Sequence, residues 1–330
     1  MNQNFVDFIQ DWKNTKIAVA VSGGVDSVCL LHWLVNAGLD VVALHVNHKL
    51  RDCAETETQY VQEMCKKINV PCHVFYWDEE KPTSGLEAAA RDARYKFMTD
   101  FCHKNNIDTL AIAHQADDQI ETFLMNLGRG SGIYGLAAIQ PISYRDDIKI
   151  IRPLLGVFRK ELIQYCNTNN IKYFSDEMNE DERYTRVKIR KNRHLMSEKL
   201  DISDKRILLA IENLGRVRKY LDSNITALID NVIDTDKYGN KYALFSETFL
   251  FDLGGDIRLK FIGRLIQIIG GNDYQPRLNS LISALEKLHG DCKFTLGHCT
   301  IRRLGNRILI VREGQKTTFR KKYEKLKKHK

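Results

Sequence analysis

The stretch Ile17-Ala18-Val19-Ala20-Val21-Ser22-Gly23-Gly24-Val25-Asp26-Ser27 decides the fold. Its apolar first part predicts a short buried strand, and the helical periodicity that starts at Val25 predicts a helix directly after the turn. Two adjacent glycines let the backbone turn sharply and approach a ligand closely. Exposed N–H groups, the start of a helix and the hydroxyls of Ser22 and Ser27 together predict an anion site.

The phosphate loop, residues 22–27, also carries a carboxylate. Asp26 would repel a phosphate group, but it fits the loop if it binds Mg²⁺, which bridges carboxylate and phosphate oxygens. The loop lacks the Gly-Lys-Ser/Thr of a P-loop, so transfer of a γ-phosphate is not implied. We therefore expect the whole loop to bind the phosphates of a nucleotide: Ser22, Gly23, Gly24, Val25, Asp26 and Ser27.

Strand and helix signals alternate through the first half of the chain, which predicts a doubly wound, mostly parallel α/β sheet with ligands at the carboxyl ends of its strands. After about residue 200 the rhythm changes, and we expect a smaller α+β domain. The predicted domains are a catalytic domain at 1–200, a C-terminal domain at 201–314 and a basic tail at 315–330. The polar segment 174–193 is expected to be a mobile connection or lid.

A cluster of acidic residues follows the fourth predicted strand. Asp117 and Glu121 lie four residues apart, and Asp118 and Glu121 three apart, so on a helix these carboxylates share a face. That face opens where the nucleotide is expected. The cluster could hold Mg²⁺ or a cationic amine, and the alternative is a solvated helix start with favourable acidic residues.

Basic side chains lie on neighbouring elements. Arg91 and Arg94 are three residues apart on a predicted long helix and suit phosphate binding, although ordinary surface arginines would give the same pattern. His45 stands near the end of the second predicted strand. It could contact the nucleotide, and a structural histidine is the alternative.

The phosphate loop resembles the signature of the N-type ATP pyrophosphatases, the PP-loop enzymes. Within that superfamily, the order and spacing of further motifs are similar to the tRNA(Ile)-lysidine synthetase family. The resemblance covers about residues 15–195 strongly and 290–313 more weakly. The motifs are His45-Val46-Asn47-His48-Lys49-Leu50-Arg51, Arg91 with Arg94 and Tyr95, Ala113 to Thr122, Gly128-Arg129-Gly130-Ser131-Gly132, and Arg152-Pro153-Leu154-Leu155.

This resemblance implies a ligase that splits ATP into AMP and pyrophosphate. The implied substrates are the wobble cytidine of an isoleucine tRNA with a CAU anticodon and free L-lysine. It implies a catalytic set of Asp26, Asp117, Asp118, Glu121 and Arg94, with His45 and Arg91 joining the loop in binding ATP. Mg²⁺ would be held by Asp26 and Asp118. Asp117 is the first candidate for the lysine amine and Glu121 the second.

Two positions depart from the family pattern, and one motif matches a dinucleotide-binding pattern without the structural context that this pattern requires. Met178 stands where the family carries a hydroxyl residue, and Val187 where it carries asparagine, while Arg186 and Arg190 keep their places. Residues 130–135 fit G-x-G-x-x-G. They follow a predicted helix and not a strand, so we reject a dinucleotide site there.

The nearest alternative function is tRNA 2-thiolation, which shares the adenylation step. It needs a reactive or cluster-binding cysteine set, and the chain has no Cys-x-x-Cys. An RNA-binding module with a relict nucleotide site is a further alternative, but it would predict damage to the loop or the acidic cluster. The absence of a signal peptide or long apolar run predicts a cytoplasmic protein without membrane contact.

The tail at 315–330 carries eight Lys and Arg residues against one Glu. By charge alone the tail would attract a polyanion, RNA or DNA, and a solvated end is the alternative. The resemblance implies that the C-terminal domain at 201–314 and this tail bind the body of the tRNA through its phosphates. A homodimer is left open by the sequence.

Overall fold

The computed structural model describes residues 2–50, 53–82, 84–174, 185–272, 274–288 and 293–315. The chain divides into two compact units, Met1–Arg216 and Val217–Lys330. The dividing point falls inside one long helix. The predicted domain limits at 200 and 314 stay predictions, and the basic tail beyond Gln315 lies outside the described residues.

The first unit is built on a six-stranded sheet with the order β3-β2-β1-β4-β6-β5. All neighbouring pairs are parallel except β5 and β6, which are antiparallel. Strand order reverses between β1 and β4, and doubly wound sheets bind ligands at this kind of switch point. The strands are Ile17–Ala20 (β1), Val41–Asn47 (β2), Cys72–Tyr76 (β3), Thr109–Ala111 (β4), Ile142–Arg145 (β5) and Ile148–Ile151 (β6).

Helices cover both faces of this sheet. Ile17 and Val19 of β1 belong to one hydrophobic cluster, whereas Ala18 belongs to another on the opposite face. Because both faces are covered there, the central strands β1, β2 and β4 are buried and mostly apolar. The helices are Gln3–Ile9 (α1), Val25–Asn36 (α2), Ala54–Lys67 (α3), Leu86–Lys104 (α4), Ala116–Gly128 (α5), Ile133–Leu136 (α6), Arg159–Thr168 (α7), Thr185–Asn192 (α8), His194–Leu200 (α9) and Asp204–Asp230 (α10).

The second unit contains a separate five-stranded antiparallel sheet in the order β7-β8-β11-β10-β9. Its core packs Phe245 of the sheet against Phe261 of a helix, with ring centroids 5.4 Å apart. Its strands are Ile233–Thr235 (β7), Lys241–Ser246 (β8), Lys293–Leu296 (β9), Cys299–Leu304 (β10) and Arg307–Arg312 (β11). Its further helices are Glu247–Asp252 (α11), Gly255–Gly270 (α12) and Leu278–Lys287 (α13).

The predicted fold class is confirmed: a mostly parallel α/β sheet and a separate α+β region. The segment 174–193 differs in part from its prediction as a mobile connection. Its described C-terminal part forms the helix α8, while 175–184 lies outside the described residues. No helix of the described ranges is long and apolar enough to cross a membrane.

Candidate active site

The phosphate loop connects β1 to α2. Gly23 has φ of +91°, in the left-handed region that a glycine adopts without cost, and Gly24 is the N-cap of α2. Ser27 Oγ accepts a hydrogen bond from the Ser22 N–H at 3.1 Å and donates to the Gly24 carbonyl at 3.0 Å. These bonds hold the loop in shape, with the start of α2 as an anion site.

Asp26 lies in the first turn of α2. One of its oxygens, Oδ2, accepts a hydrogen bond from the Arg159 guanidinium at 3.1 Å, while the other, Oδ1, is buried without a hydrogen-bond partner among the described residues. Burial raises the pKa of Asp26, Arg159 opposes this, and the neighbouring carboxylates Asp118 and Asp117 add to it, which together gives a pKa of about 6. A carboxylate in this setting has an oxygen available to a cation.

The N-terminus of α5 carries two of the predicted acids. Gln115 is the N-cap: its side chain accepts from the Asp117 N–H, and its own N–H donates to Asp118 Oδ2 at 3.0 Å. Burial raises the pKa of Asp118. Asp117 accepts a hydrogen bond of 2.9 Å from the backbone N–H of Arg159 at the start of α7. It also forms an ion pair with Arg193. Asp117 therefore fixes the position of α7 beside the phosphate loop.

Glu121 lies one turn further along α5 and is 1% exposed. Arg190 of α8 donates to both of its oxygens, from Nε at 2.7 Å and from a terminal nitrogen at 3.3 Å. This forked pair raises the pKa of Arg190 and offsets the cost of burying the Glu121 charge. The structure thus brings Asp26, Asp117, Asp118 and Glu121 into one acidic cluster beside the phosphate loop. Helical spacing indicated the shared face of the last three, and the roles of all four stay predictions.

His45 occupies a different environment from the acidic cluster. It is 3% exposed within β2, a strand buried along its whole length. Its Nδ1 lies 2.7 Å from the Val21 carbonyl and its Nε2 3.0 Å from the Thr58 hydroxyl, and burial lowers its pKa. One ring nitrogen thereby holds the residue after β1, and the other holds helix α3. A role in nucleotide binding stays a prediction, and this geometry gives His45 a structural role.

Arg91 and Arg94 lie on α4 around the ring of Tyr95, at 5.2 Å and 6.0 Å from its centroid. They form an arginine cluster separate from the acidic residues, together with Arg145 and Arg152. Of the two positions that depart from the family pattern, Val187 is a buried residue of α8. Met178 lies outside the described residues.

Three arginines form ion pairs with the acidic cluster, and the sequence indicated little or no site role for them. Arg159 and Arg193 were not predicted as site residues, and Arg190 was named only as a retained family position. Arg159 pairs with a carboxylate 133 positions away, and Arg193 with one 76 positions away. The sequence signal that could have indicated these pairs is the group of arginines Arg186, Arg190 and Arg193, which lies in the segment that we interpreted as a mobile connection.

Comparison with known proteins shows the family of this chain. The sequence profile of the PP-loop domain matches residues 1–197. A tRNA(Ile)-lysidine synthase of Wolbachia pipientis wMel is 33% identical over 312 residues, which cover 92% of this chain and 72% of that protein. This chain belongs to the tRNA(Ile)-lysidine synthase family. A family member from Ruegeria pomeroyi is 33% identical over 302 residues, covering 90% of this chain and 71% of the relative.

Membership of the tRNA(Ile)-lysidine synthase family makes the chain an enzyme of a PP-loop, ATP-using group. Among solved structures, the U34-tRNA thiolase NcsA from Methanococcus maripaludis has a TM-score of 0.55 and 18% identity. The match covers 65% of this chain and 77% of the thiolase, and at this identity it supports the shared fold alone.

Proposed function

We propose that this protein ligates lysine to C2 of the wobble cytidine in an isoleucine tRNA with a CAU anticodon, with ATP as the activating substrate. The observation that carries the proposal is the pairing of Asp117 and Glu121 with guanidinium groups directly beside the phosphate loop. Each carboxylate oxygen can accept a second hydrogen bond, so these acidic side chains can also hold the ammonium group of a lysine. Family membership supplies the tRNA substrate by analogy.

ATP is proposed to place its phosphates on the amides of the phosphate loop. The residues also fit Mg²⁺: Asp26 has a buried, unpartnered oxygen, and the Asp118 carboxylate lies close enough to raise the pKa of Asp26. No group of three or more metal-ligating side chains occurs among the described residues. Two carboxylates together with substrate phosphates are a usual way of holding Mg²⁺. Bound there, Mg²⁺ would neutralise charge on the leaving pyrophosphate.

The chemistry has two steps. The C2 oxygen of cytidine attacks the α-phosphorus of ATP, and pyrophosphate leaves with the electron pair of the broken P–O bond. The loop amides and the Arg159 guanidinium, which is bonded to Asp26, are proposed to stabilise that charge. The lysine Nε then attacks C2, its proton passes to a carboxylate, and AMP leaves with the former C2 oxygen.

The same acidic cluster is proposed to bind and deprotonate lysine. Protonated lysine is not a nucleophile, so a nearby carboxylate must accept a proton before attack. Asp117 is the first candidate for binding the amine and Glu121 the second. Glu121 is 1% exposed and both of its oxygens accept hydrogen bonds from Arg190, whereas Asp117 is 13% exposed, which favours Asp117.

The test is incorporation of radiolabelled lysine into an isoleucine tRNA transcript with a CAU anticodon. We expect label only with ATP and the wild-type protein, and none with Asp26→Ala. Asp40→Ala, which changes an exposed aspartate of the same unit, is the matched control and is expected to label normally.

The outcomes separate the two tRNA-modifying functions. AMP and pyrophosphate formed in the presence of tRNA without incorporation of lysine would overturn lysidine synthesis and favour thiolation. Sedimentation of the same preparation would decide whether the enzyme is a homodimer, which we propose only as an alternative to the monomer.

A further inference from the structure

Four arginine side chains surround one buried tyrosine. The Tyr95 ring is 3% exposed, and the Arg145 guanidinium lies 4.4 Å from its centroid. Arg91 and Arg94 approach the same ring, and Arg152 lies next to its hydroxyl. The phenol and the ring face attract these cations, but one tyrosine does not neutralise four positive charges.

Carboxylates compensate only part of this charge. Arg145 forms an ion pair with Asp92 at 2.9 Å. In the part of the chain that the structure describes, Arg91, Arg94 and Arg152 have no carboxylate within ion-pair distance. Burial lowers the pKa of Arg94 and of Arg152. Grouped guanidinium groups repel one another, and a bound anion is the usual compensation.

Two buried nitrogen atoms at this cluster lack hydrogen-bond partners among the described residues. One is Nε of Arg152, a residue that is 8% exposed and whose terminal nitrogen is held by the Gln140 carbonyl and the Ser143 hydroxyl. The other is Nδ1 of His114. Burial and the nearby arginines lower the pKa of His114 to about 3, so the ring is neutral at pH 7 and offers a hydrogen bond without adding charge. Buried polar atoms of this kind normally have partners.

The cluster lies at the carboxyl edge of the sheet but away from the phosphate loop. His114 follows β4 and Arg152 follows β6, and these strands pair through Ala111 and Ile151. The phosphate loop follows β1, on the other side of β4. Two strand spacings separate β1 from β6, roughly 10 Å. A single phosphate group does not span that distance, so an anion on Arg152 is a second group, and the separate ATP titration below distinguishes it from another phosphate of ATP.

We propose that Arg91, Arg94, His114 and Arg152 form a second anion site that binds one phosphodiester group of the RNA substrate beside the reacting nucleotide. The inference rests on the proposed function and extends it. It assigns Arg91 and Arg94 to the RNA, whereas the family resemblance implied ATP binding for Arg91 and catalysis for Arg94. Phosphate contacts from arginine position an RNA without specifying its sequence.

The test measures binding of a CAU anticodon stem-loop RNA, and of ATP separately, across a series of salt concentrations. Arg94→Gln changes a half-buried side chain, and Arg152→Gln changes a buried one. If Arg152→Gln fails to fold, Arg94→Gln still tests the site. Arg206→Gln removes an exposed guanidinium of the same unit and is the control.

For Arg94→Gln and Arg152→Gln we expect RNA affinity to fall about 10-fold at low salt, with unchanged ATP affinity. The slope of log affinity against log salt should fall by about 0.7, which is the loss of one single-strand phosphate contact. Arg206→Gln should match wild type.

Loss of ATP affinity with unchanged RNA affinity would make the cluster part of the nucleotide site and overturn the inference. No change in either affinity would make it a structural cluster. Failure of the wild-type protein to bind the RNA would instead count against the proposed function itself.

Discussion

Replacing Asp26 with Asn is expected to stabilise the ligand-free protein while abolishing lysine incorporation. The pKa of Asp26 is raised from its ordinary value of 3.8 to about 6, chiefly by burial. The folded protein therefore holds a proton on Asp26 between about pH 4 and 6, where the unfolded chain has lost it, so stability falls as pH rises through this window. At about 1.4 kcal/mol for each pKa unit, the ionised carboxylate costs about 3 kcal/mol above pH 7.

Asparagine removes this cost, and the attraction of Arg159, whose side chain is 35% exposed, is already included in the raised pKa. We therefore expect a net gain of about 3 kcal/mol above pH 7 that vanishes below about pH 4, where both variants are neutral at this position.

Urea denaturation at a series of pH values checks this expectation. The three tryptophans, Trp12, Trp33 and Trp77, are all buried in the first unit, so fluorescence follows the unfolding of that unit. Asp40→Asn, at an exposed position, should leave stability unchanged at every pH. The reasoning is refuted if Asp26→Asn is no more stable than wild type at pH 8, or if its advantage does not shrink on acidification.

Three further substitutions address the loop, the acidic cluster and the buried histidine. Gly23→Ala should lower the free energy of unfolding by about 1–2 kcal/mol and weaken ATP binding, because φ at this position is +91°. Gly24→Ala should be tolerated better, because φ there is −73°. Equal effects of the two variants in denaturation and ATP titration would contradict this. Glu121→Gln should raise the KM for lysine at least tenfold with little change in the KM for ATP. Steady-state kinetics in which the KM for ATP rises and the KM for lysine does not would instead place ATP beside Glu121. His45→Ala should lower the free energy of unfolding by about 1–3 kcal/mol because two hydrogen bonds are lost, while the folded protein keeps its ATP affinity. Weaker ATP binding at unchanged stability would instead support the predicted role of His45 in binding ATP.

The parts of the site that rest on local spacing could be predicted from the sequence. The glycine pair between an apolar run and a periodic helix gave the phosphate loop, because strand, turn and helix signals all lie within a dozen residues. The spacing of Asp117, Asp118 and Glu121 likewise gave a shared helix face. Both features depend on geometry that a single turn or helix determines by itself.

The parts that depend on distant pairing could not be predicted. Arg159 reaches Asp26 across 133 positions, and nothing local to either residue indicates the pair. The side chain of His45 was equally ambiguous, because β2 is buried on both faces and strand alternation cannot then separate a ligand-facing position from a core position. The hairpin of β5 and β6 was missed, and with it the location of Arg152.

The arrangement of charge across the sheet edge connects these findings to catalysis. Acidic residues lie beside β1 and β4 with guanidinium partners, and the cluster around Tyr95 lies beyond β4 with little carboxylate compensation. A reaction that joins a polyanionic RNA, an anionic nucleotide and a cationic amino acid needs separate regions of opposite sign, since one uniform field would repel at least one substrate. The order β1, β4, β6 supplies that separation within roughly 10 Å. The reacting cytidine would then lie between the two regions, close to both the α-phosphate and the lysine amine.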